Sequence, residues 1–171
     1  MGSKAKELVV RAGLDINALI KELNSAYCDE WLAYYQYWVG AKVAEGKMFH
    51  VIAAELAEHA GEELAHAEKL AKRIIELGGT PVISPDLWLK ESECGYLAPK
   101  NPDAMVLLKQ NIQGERCAIE VYDKLLHMVM GKDPITEHLV REILEDELEH
   151  EQDLEDLYNS CALGSKKSCE K

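Results

Sequence analysis

Apolar residues recur at helical spacing through four stretches of this chain. In the first, Leu19, Leu23, Ala26, Ala33 and Tyr37 fall on one stripe, and Glu30 falls among them. Asp15 is placed to cap that helix, expected over roughly 15–44 and ending before Gly46. A second helix is expected over 48–77, stopped by Gly78-Gly79 with Pro81 beyond. Asn101-Pro102-Asp103 supplies an N-cap, a first-turn proline and an early acid for a third over 102–130, ending near Gly131. Asp133-Pro134 repeats that start for a fourth over 134–163, before Gly164 and a polar tail, 164–171. Residues 1–13 read as a short lead-in. Between the second and third helices, residues 80–101 are punctuated by prolines, with room for one short helix starting at Ser84-Pro85-Asp86. A crossover of that length lets the second and third helices run parallel, while short turns make the outer pairs antiparallel. Helices of about 30 residues are some 45 Å long. The expected fold is all-α, a four-helix bundle in a single domain.

Glu30 is the anomaly in its stripe. A lone buried carboxylate costs several kcal/mol and takes up a proton unless it is paired or metal-bound. Two further stretches supply partners. Glu62-Glu63-Leu64-Ala65-His66 and Asp146-Glu147-Leu148-Glu149-His150 each place a Glu and a His three residues apart, on one face of a helix, where both can grip one metal. One such pair is commonplace in Glu-rich helices; two need a common cause. Each follows another Glu by one helix and a turn, Glu63 at 33 residues after Glu30 and Glu147 at 32 after Glu115. Tyr37 and Tyr122 each stand seven positions beyond those first acids. The chain therefore reads as two copies of a helical hairpin.

Packed as four helices, the copies bring together Glu30, Glu63, His66, Glu115, Glu147 and His150, the constellation of di-metal carboxylate bundles. Four carboxylates and two imidazoles without thiolate suit two iron ions, with manganese as the alternative. By symmetry Glu63 and Glu147 bridge, Glu30 with His66 completes one metal, and Glu115 with His150 the other. Six groups on two metals leave positions at which oxygen or peroxide binds. Glu62 and Asp146 are either hydrogen-bond partners of the imidazoles or solvated surface charge.

A formal net charge of −12 on 171 residues argues against binding nucleic acid and suits a protein that attracts cations, although acidity also serves plain solubility. No apolar run reaches the roughly 18 residues of a membrane span, and the first residues lack the apolar core of a signal peptide. A cytoplasmic location is expected.

These motifs resemble those of the ferritin-like superfamily, and the symmetric layout is similar to that of bacterioferritin. With Cys94 in the crossover and Cys117 just after Glu115, the chain resembles the Dps-like proteins called thioferritins, over about Asp15 to Leu163. The resemblance implies a ferritin-like four-helix bundle with a long crossover between the second and third helices. It also implies a ferroxidase that oxidises Fe(II), preferably with hydrogen peroxide, and stores the mineral in a hollow dodecameric shell that protects against oxidants. For Cys94 and Cys117 it implies a pair near the metal site. The alternative is two separate buried thiols. Two residues beyond Glu115, Cys117 points about 200° away from the ligand face, so a disulfide would tie the crossover to the outside of the third helix.

Other residues stay open. Trp31, Tyr34, Tyr35 and Trp38 are read as packing against a helix or subunit in preference to an electron relay. His59 is either a transient iron ligand or a partly exposed helix residue. Cys28, Cys161 and Cys169, and His50, His127 and His138, receive no role. The acidic run Glu142, Glu145, Glu149 and Asp153 either lines a shell interior or is simply wet. Two readings compete with storage. One is a non-storing peroxidase of rubrerythrin or manganese-catalase type, disfavoured by the lack of any Cys-x-x-Cys; the other is a purely structural bundle.

Overall fold

The computed structural model describes residues 4–166, and all regular structure among them is helical. Helices α2 (Ile16–Val43), α3 (Phe49–Glu76), α5 (Ala104–Val129) and α6 (Pro134–Lys166) form the bundle. A short α1 (Lys4–Arg11) precedes it, and the crossover carries a 3-10 turn (Pro85–Leu87) running into α4 (Trp88–Glu91).

The helix starts follow from local chemistry. The Asp15 carboxylate accepts from the backbone of Asn17 and Ala18 at 2.9 and 3.2 Å. Asp103, not Asn101, caps α5, accepting from Met105 and Val106; Asn101 instead accepts from the Asp103 amide. Asp133 caps α6, with Pro134 at its first position. Two boundaries differ from the sequence reading. The lead-in is helical, because Val9 is fully buried against the Leu14, Leu19 and Leu77 region and draws the segment onto the bundle. The last helix passes through Gly164 to Lys166; the rest of the tail, with Cys169, lies outside the described residues.

The backbone at the end of α2 sets the topology. Glu45 donates to Pro102 O at 2.8 Å and accepts from Ala104 N at 2.9 Å. The start of α5 thus lies beside the start of α3, so these two helices run in the same direction and the crossover spans the bundle. Trp31 of α2 stacks on Trp88 of α4, ring centroids 5.0 Å apart and 9° from parallel, with Tyr27 and Tyr34 edge-on to Trp31. Those aromatics pack the crossover onto α2; Tyr35 and Trp38 are exposed.

The core has two apolar halves. One gathers Leu19, Leu23, Leu70, Ile74, Leu125 and Ile143; the other gathers Ile52, Leu56, Leu107, Leu108, Ile112 and Leu154. Along every helix of the bundle the stripe is interrupted between the halves by an acid: Glu30, Glu63, Glu115 or Glu147. A polar layer therefore lies at mid-height, sealed above and below.

Candidate metal centre

The mid-height layer joins all six residues singled out by the repeat, each no more than 3% exposed. His66 turns Nδ1 towards Glu147 at 3.1 Å, Glu63 at 3.5 Å and Glu30 at 3.7 Å. His150 turns Nδ1 towards Glu63 at 3.5 Å, Glu147 at 3.6 Å and Glu115 at 4.0 Å. Two groups of possible ligands result, Glu30–Glu63–His66–Glu147 and Glu63–Glu115–Glu147–His150, each with one atom per residue within 4.8 Å of the others. Glu63 and Glu147 belong to both, the position of a bridge.

The remaining atoms of these side chains are anchored crosswise. His66 Nε2 meets Asp146 at 3.0 Å, and His150 Nε2 meets Glu62 at 2.8 Å. Each acid flanks one Glu-x-x-His motif and holds the imidazole of the other, which fixes both rings with Nδ1 inward. Tyr37 donates its hydroxyl to Glu115 and Tyr122 donates to Glu30.

Burial and crowding set the charges. Burial, then the charges of Glu63 and Glu147, pushes Glu30 well above the carboxylate range; Glu115 is raised likewise. Burial alone would raise Glu63 too, but the imidazoles of His150 and His66, each with Nδ1 at 3.5 Å, outweigh it and hold it below. Burial disfavours imidazolium at both histidines, yet the surrounding carboxylates outweigh it, raising His66 strongly and His150 to about 12. Tyr37 and Tyr122 are pushed up by burial and by their carboxylate partners.

This layer fits two divalent cations on two counts. Of seven buried side-chain polar atoms without a hydrogen bond among the described residues, five are Glu63 Oε1, both oxygens of Glu147, and Nδ1 of His66 and His150. All five face the centre of the layer; the other two are the stacked indole nitrogens of Trp31 and Trp88. Orphaned atoms concentrated in one place mark a missing partner. In the deprotonated form that ligands take, four carboxylates and two neutral imidazoles also carry the charge that two divalent cations balance, the cations replacing the protons held in their absence. The donor set, oxygen with imidazole nitrogen, belongs to iron, manganese and zinc.

A cavity of about 70 Å³ reaches the layer between α2, α5 and the crossover, and both Glu30 and Glu115 line it. Cys94 and Cys117 are joined by a disulfide, Cα atoms 5.7 Å apart, in the wall of that cavity. Helical geometry does turn Cys117 off the ligand face, but the crossover folds over that side and brings the disulfide to the same space. Two buried α2 residues that the sequence reading passed over hold the crossover there. Asp29 accepts from the backbone of Cys94 at 2.8 Å and Glu93 at 3.3 Å, and Gln36 accepts from Leu97 N at 2.8 Å while donating to Asn111. The signal available for Asp29 was the acid that precedes three of the four central Glu residues.

His59 is buried, not partly exposed, and stacks on His150 with centroids 4.2 Å apart. Burial, then His150, lowers it to about 4, so it is a neutral imidazole. Cys28 is buried with its thiol pushed up to about 12 by burial and Asp29, which leaves it unreactive, and Cys161 lies in the apolar core. His127 is exposed against its own helix, and His50 packs on Phe49.

A bundle of this topology around such a layer defines a class. The sequence model of the Ferritin-like domain matches residues 20–163, and the chain belongs to that family. The solved dodecameric thioferritin of Bacteroides fragilis, described as a bacterioferritin-related protein, superposes with a TM-score of 0.94 at 44% identity, covering 99% of this chain and 100% of that one. The DNA protection during starvation protein of Pyrococcus furiosus is 34% identical over 154 residues, 89% of this chain and 83% of its own. Desulfovibrio desulfuricans bacterioferritin is 30% identical over 135 residues, 77% of this chain and 69% of its own. No helix among the described residues is long and apolar enough to cross a membrane.

Proposed function

We propose that the protein is a ferroxidase and iron-storage protein that oxidises Fe(II) at this centre, with hydrogen peroxide as the preferred oxidant. The observation that carries the reading is the convergence of the five orphaned ligand atoms on one buried layer, whose four carboxylates and two imidazoles, once deprotonated, balance two Fe(II) ions. Glu30 and His66 would hold one iron, Glu115 and His150 the other, with Glu63 and Glu147 common to both. The chemistry supplied there is the loss of one electron from each Fe(II), two in all, which with two protons reduces one hydrogen peroxide to two waters.

The chain's own residues do the rest. Asp146 and Glu62 fix the imidazole tautomers, and Tyr37 and Tyr122 hold the outer carboxylates in place. The apolar halves of the core keep bulk water from the layer. A homo-oligomeric shell, dodecameric like that of the Bacteroides fragilis relative, would contain the ferric product and protect a cytoplasm from peroxide and free iron. With a net charge of −12, protection of DNA would come from that chemistry and not from binding it.

Anaerobic loading of the metal-free protein with Fe(II), followed by peroxide, tests the reading when iron per chain and particle size are measured together. Iron rising far beyond two per chain in a large closed particle is expected. Saturation at two with sustained peroxide turnover would move the assignment to a non-storing peroxidase of the rubrerythrin or manganese-catalase kind. Absence of binding would sink both.

A further inference from the structure

The cavity of about 70 Å³ that reaches the layer from the crossover side has an outer neighbour. A groove of about 530 Å³ runs over the surface between the crossover and α5, lined by Tyr96, Leu97, Lys100, Val106 and Lys109 among others. Leu97 and Gln113 line both spaces, so they stand between the groove and the cavity. At its inner end the cavity touches Glu30, Glu63, Glu115 and Glu147. A path from the surface to the buried layer thus runs past Leu97 and Gln113.

The mouth of that path is fixed. Leu97 N donates to the Gln36 side chain at 2.8 Å, and Gln110 donates to Leu97 O at 2.6 Å. Gln36 is itself buried and donates to Asn111 at 2.9 Å, while the disulfide at Cys94 fastens the crossover just before Leu97. A backbone held on both sides does not swing aside, so the half-exposed Leu97 side chain sets a constant width. Gly114 keeps the inner space open. It lies in the interior of α5, in ordinary helical conformation, where glycine is less stable than alanine. Beyond its own helix, a Cβ there would meet only Gln36 Nε2 within 4 Å, at 3.7 Å, an ordinary contact, so close packing does not demand the glycine. What the missing side chain leaves is cavity beside the Gln36 amide. That amide nitrogen has two N–H bonds and uses one on Asn111, leaving the other for a guest.

We propose that this cavity is the oxidant's pocket, and that Leu97 and Gly114 set its size so that hydrogen peroxide enters and bulkier hydroperoxides are excluded; the assignment rests on the ferroxidase reading. One water occupies about 10–15 Å³ of such space, so about 70 Å³ takes hydrogen peroxide with little to spare. A branched alkyl hydroperoxide has no room for its head beyond Leu97. Hydrogen peroxide is also uncharged in neutral water, so the acids of the layer do not repel it, and Gln36 offers it a donor. The reaction is the same for either oxidant. Two Fe(II) give one electron each, the O–O bond breaks and two protons are taken up, leaving two waters from hydrogen peroxide or one alcohol and one water from an alkyl hydroperoxide.

Stopped-flow mixing of the full-length, anaerobically Fe(II)-loaded protein with hydrogen peroxide or tert-butyl hydroperoxide tests the gate. Each rate constant is divided by that of free Fe(II) in the same buffer, which removes the oxidants' intrinsic reactivity. A pocket that rejects one methylene already discriminates by about 10–200-fold, so the wild type should favour hydrogen peroxide by at least about tenfold. Leu97→Ala should narrow that preference by speeding tert-butyl hydroperoxide more than hydrogen peroxide. Gly114→Ala should raise the half-saturating concentration of hydrogen peroxide more than it lowers the maximal rate, at an unchanged Co(II) count per chain. Equal normalised rates for the two oxidants in the wild type, or an unchanged preference in Leu97→Ala, overturn the gate and leave the ferroxidase standing. Unchanged half-saturation in Gly114→Ala overturns the part given to the glycine. Leu97→Ala alters a half-exposed side chain, so it keeps the test decisive if Gly114→Ala disturbs Glu115. No oxidation by either oxidant would instead sink the ferroxidase reading, and the gate with it.

Discussion

Tyr37 gives its hydroxyl hydrogen bond to Glu115 on the facing helix and not to Glu30, seven residues before it on its own. Tyr122 returns the bond to Glu30. Each hairpin thus steadies the outer carboxylate of the other, and the two halves of the repeat are locked at the layer where they meet. Tyr37→Phe removes the donor from a buried oxygen of Glu115, which costs about 1–3 kcal/mol. We expect that loss in urea unfolding of the metal-free protein. In a Co(II) titration the same variant should weaken the position served by Glu115 and His150, while Tyr122→Phe should weaken the one served by Glu30 and His66. Weakening on the variant's own helix would refute the crossing.

The crossing explains what the sequence could and could not disclose. Four helices, the Asp15 and Asp133 caps and the six converging side chains were legible because each rests on local spacing: a stripe every three or four residues, Glu and His three apart, and a repeat at 33 and 32. Which Tyr serves which Glu depends on how the hairpins face each other, and no local pattern encodes that. The burial of His59 and the work of Asp29 were hidden for the same reason, since their partners lie on other elements. Helix α1 was missed because a single apolar residue, Val9, anchors it, too little to make a periodic signal.

The acids that hold the imidazoles are a sharper test of the outer shell. Glu62 and Asp146 are 49% and 41% exposed at their side chains, so neither contributes much to the core. Removing such a hydrogen-bond partner of a ligand imidazole lowers metal affinity by about 10–100-fold. Glu62→Ala and Asp146→Ala should each show that loss in competition with a chelator, at an unchanged unfolding midpoint for the metal-free protein. Glu62→Gln, which keeps an acceptor oxygen, should recover most of it. Equal affinity in all the variants would return both acids to the status of surface charge.

Metal should also stabilise the fold through the same layer. A ligand that binds only the native state adds about 2.7 kcal/mol when present at a hundred times its dissociation constant. Zn(II) should therefore raise the unfolding temperature of the wild type. The effect should vanish in Glu63→Ala/Glu147→Ala, which removes the two side chains shared by both ligand groups. A rise of equal size in the double variant would place the stabilising metal elsewhere.

The disulfide is the crossover's strongest tie but not its only one. A bridge across 23 residues contributes about 3 kcal/mol by restricting the unfolded chain. Reduction, or Cys94→Ser with Cys117→Ser, should lower stability by about that amount. The bonds from Asp29 and Gln36 and the Trp31–Trp88 stack should still hold the segment on α2. Hydrogen exchange of the Cys94 and Leu97 amides checks this: protection should persist in the reduced protein. Its complete loss would mean that the bridge alone keeps the segment in place.

The pH limit of the fold should be set in part by a group remote from the mid-height layer. Arg73 of α3 donates to both carboxylate oxygens of Asp133, at 3.0 and 2.8 Å, and to Thr136 at 2.7 Å, while the Thr136 hydroxyl also donates to Asp133. All three side chains are buried, and together they pin the end of α3 to the start of α6. Burial raises the Asp133 carboxyl, but the bonds from Thr136 and Arg73 outweigh it and hold it below its ordinary range. A carboxyl depressed in the folded state contributes stability above its unfolded value, near 3.9, and that stability is lost as pH falls through the lower folded value. Urea midpoints of the wild type should therefore drop steeply below about pH 4. Asp133→Asn should be less stable at pH 7, where the buried Arg73 guanidinium keeps only the exposed Glu76, at 3.0 Å, as a carboxylate partner, a change worth less than the ~3–5 kcal/mol of a buried charge left wholly unpaired. Its acid limb should be flatter, so that the two proteins converge towards low pH. Parallel curves would show that Asp133 carries no part of the acid sensitivity.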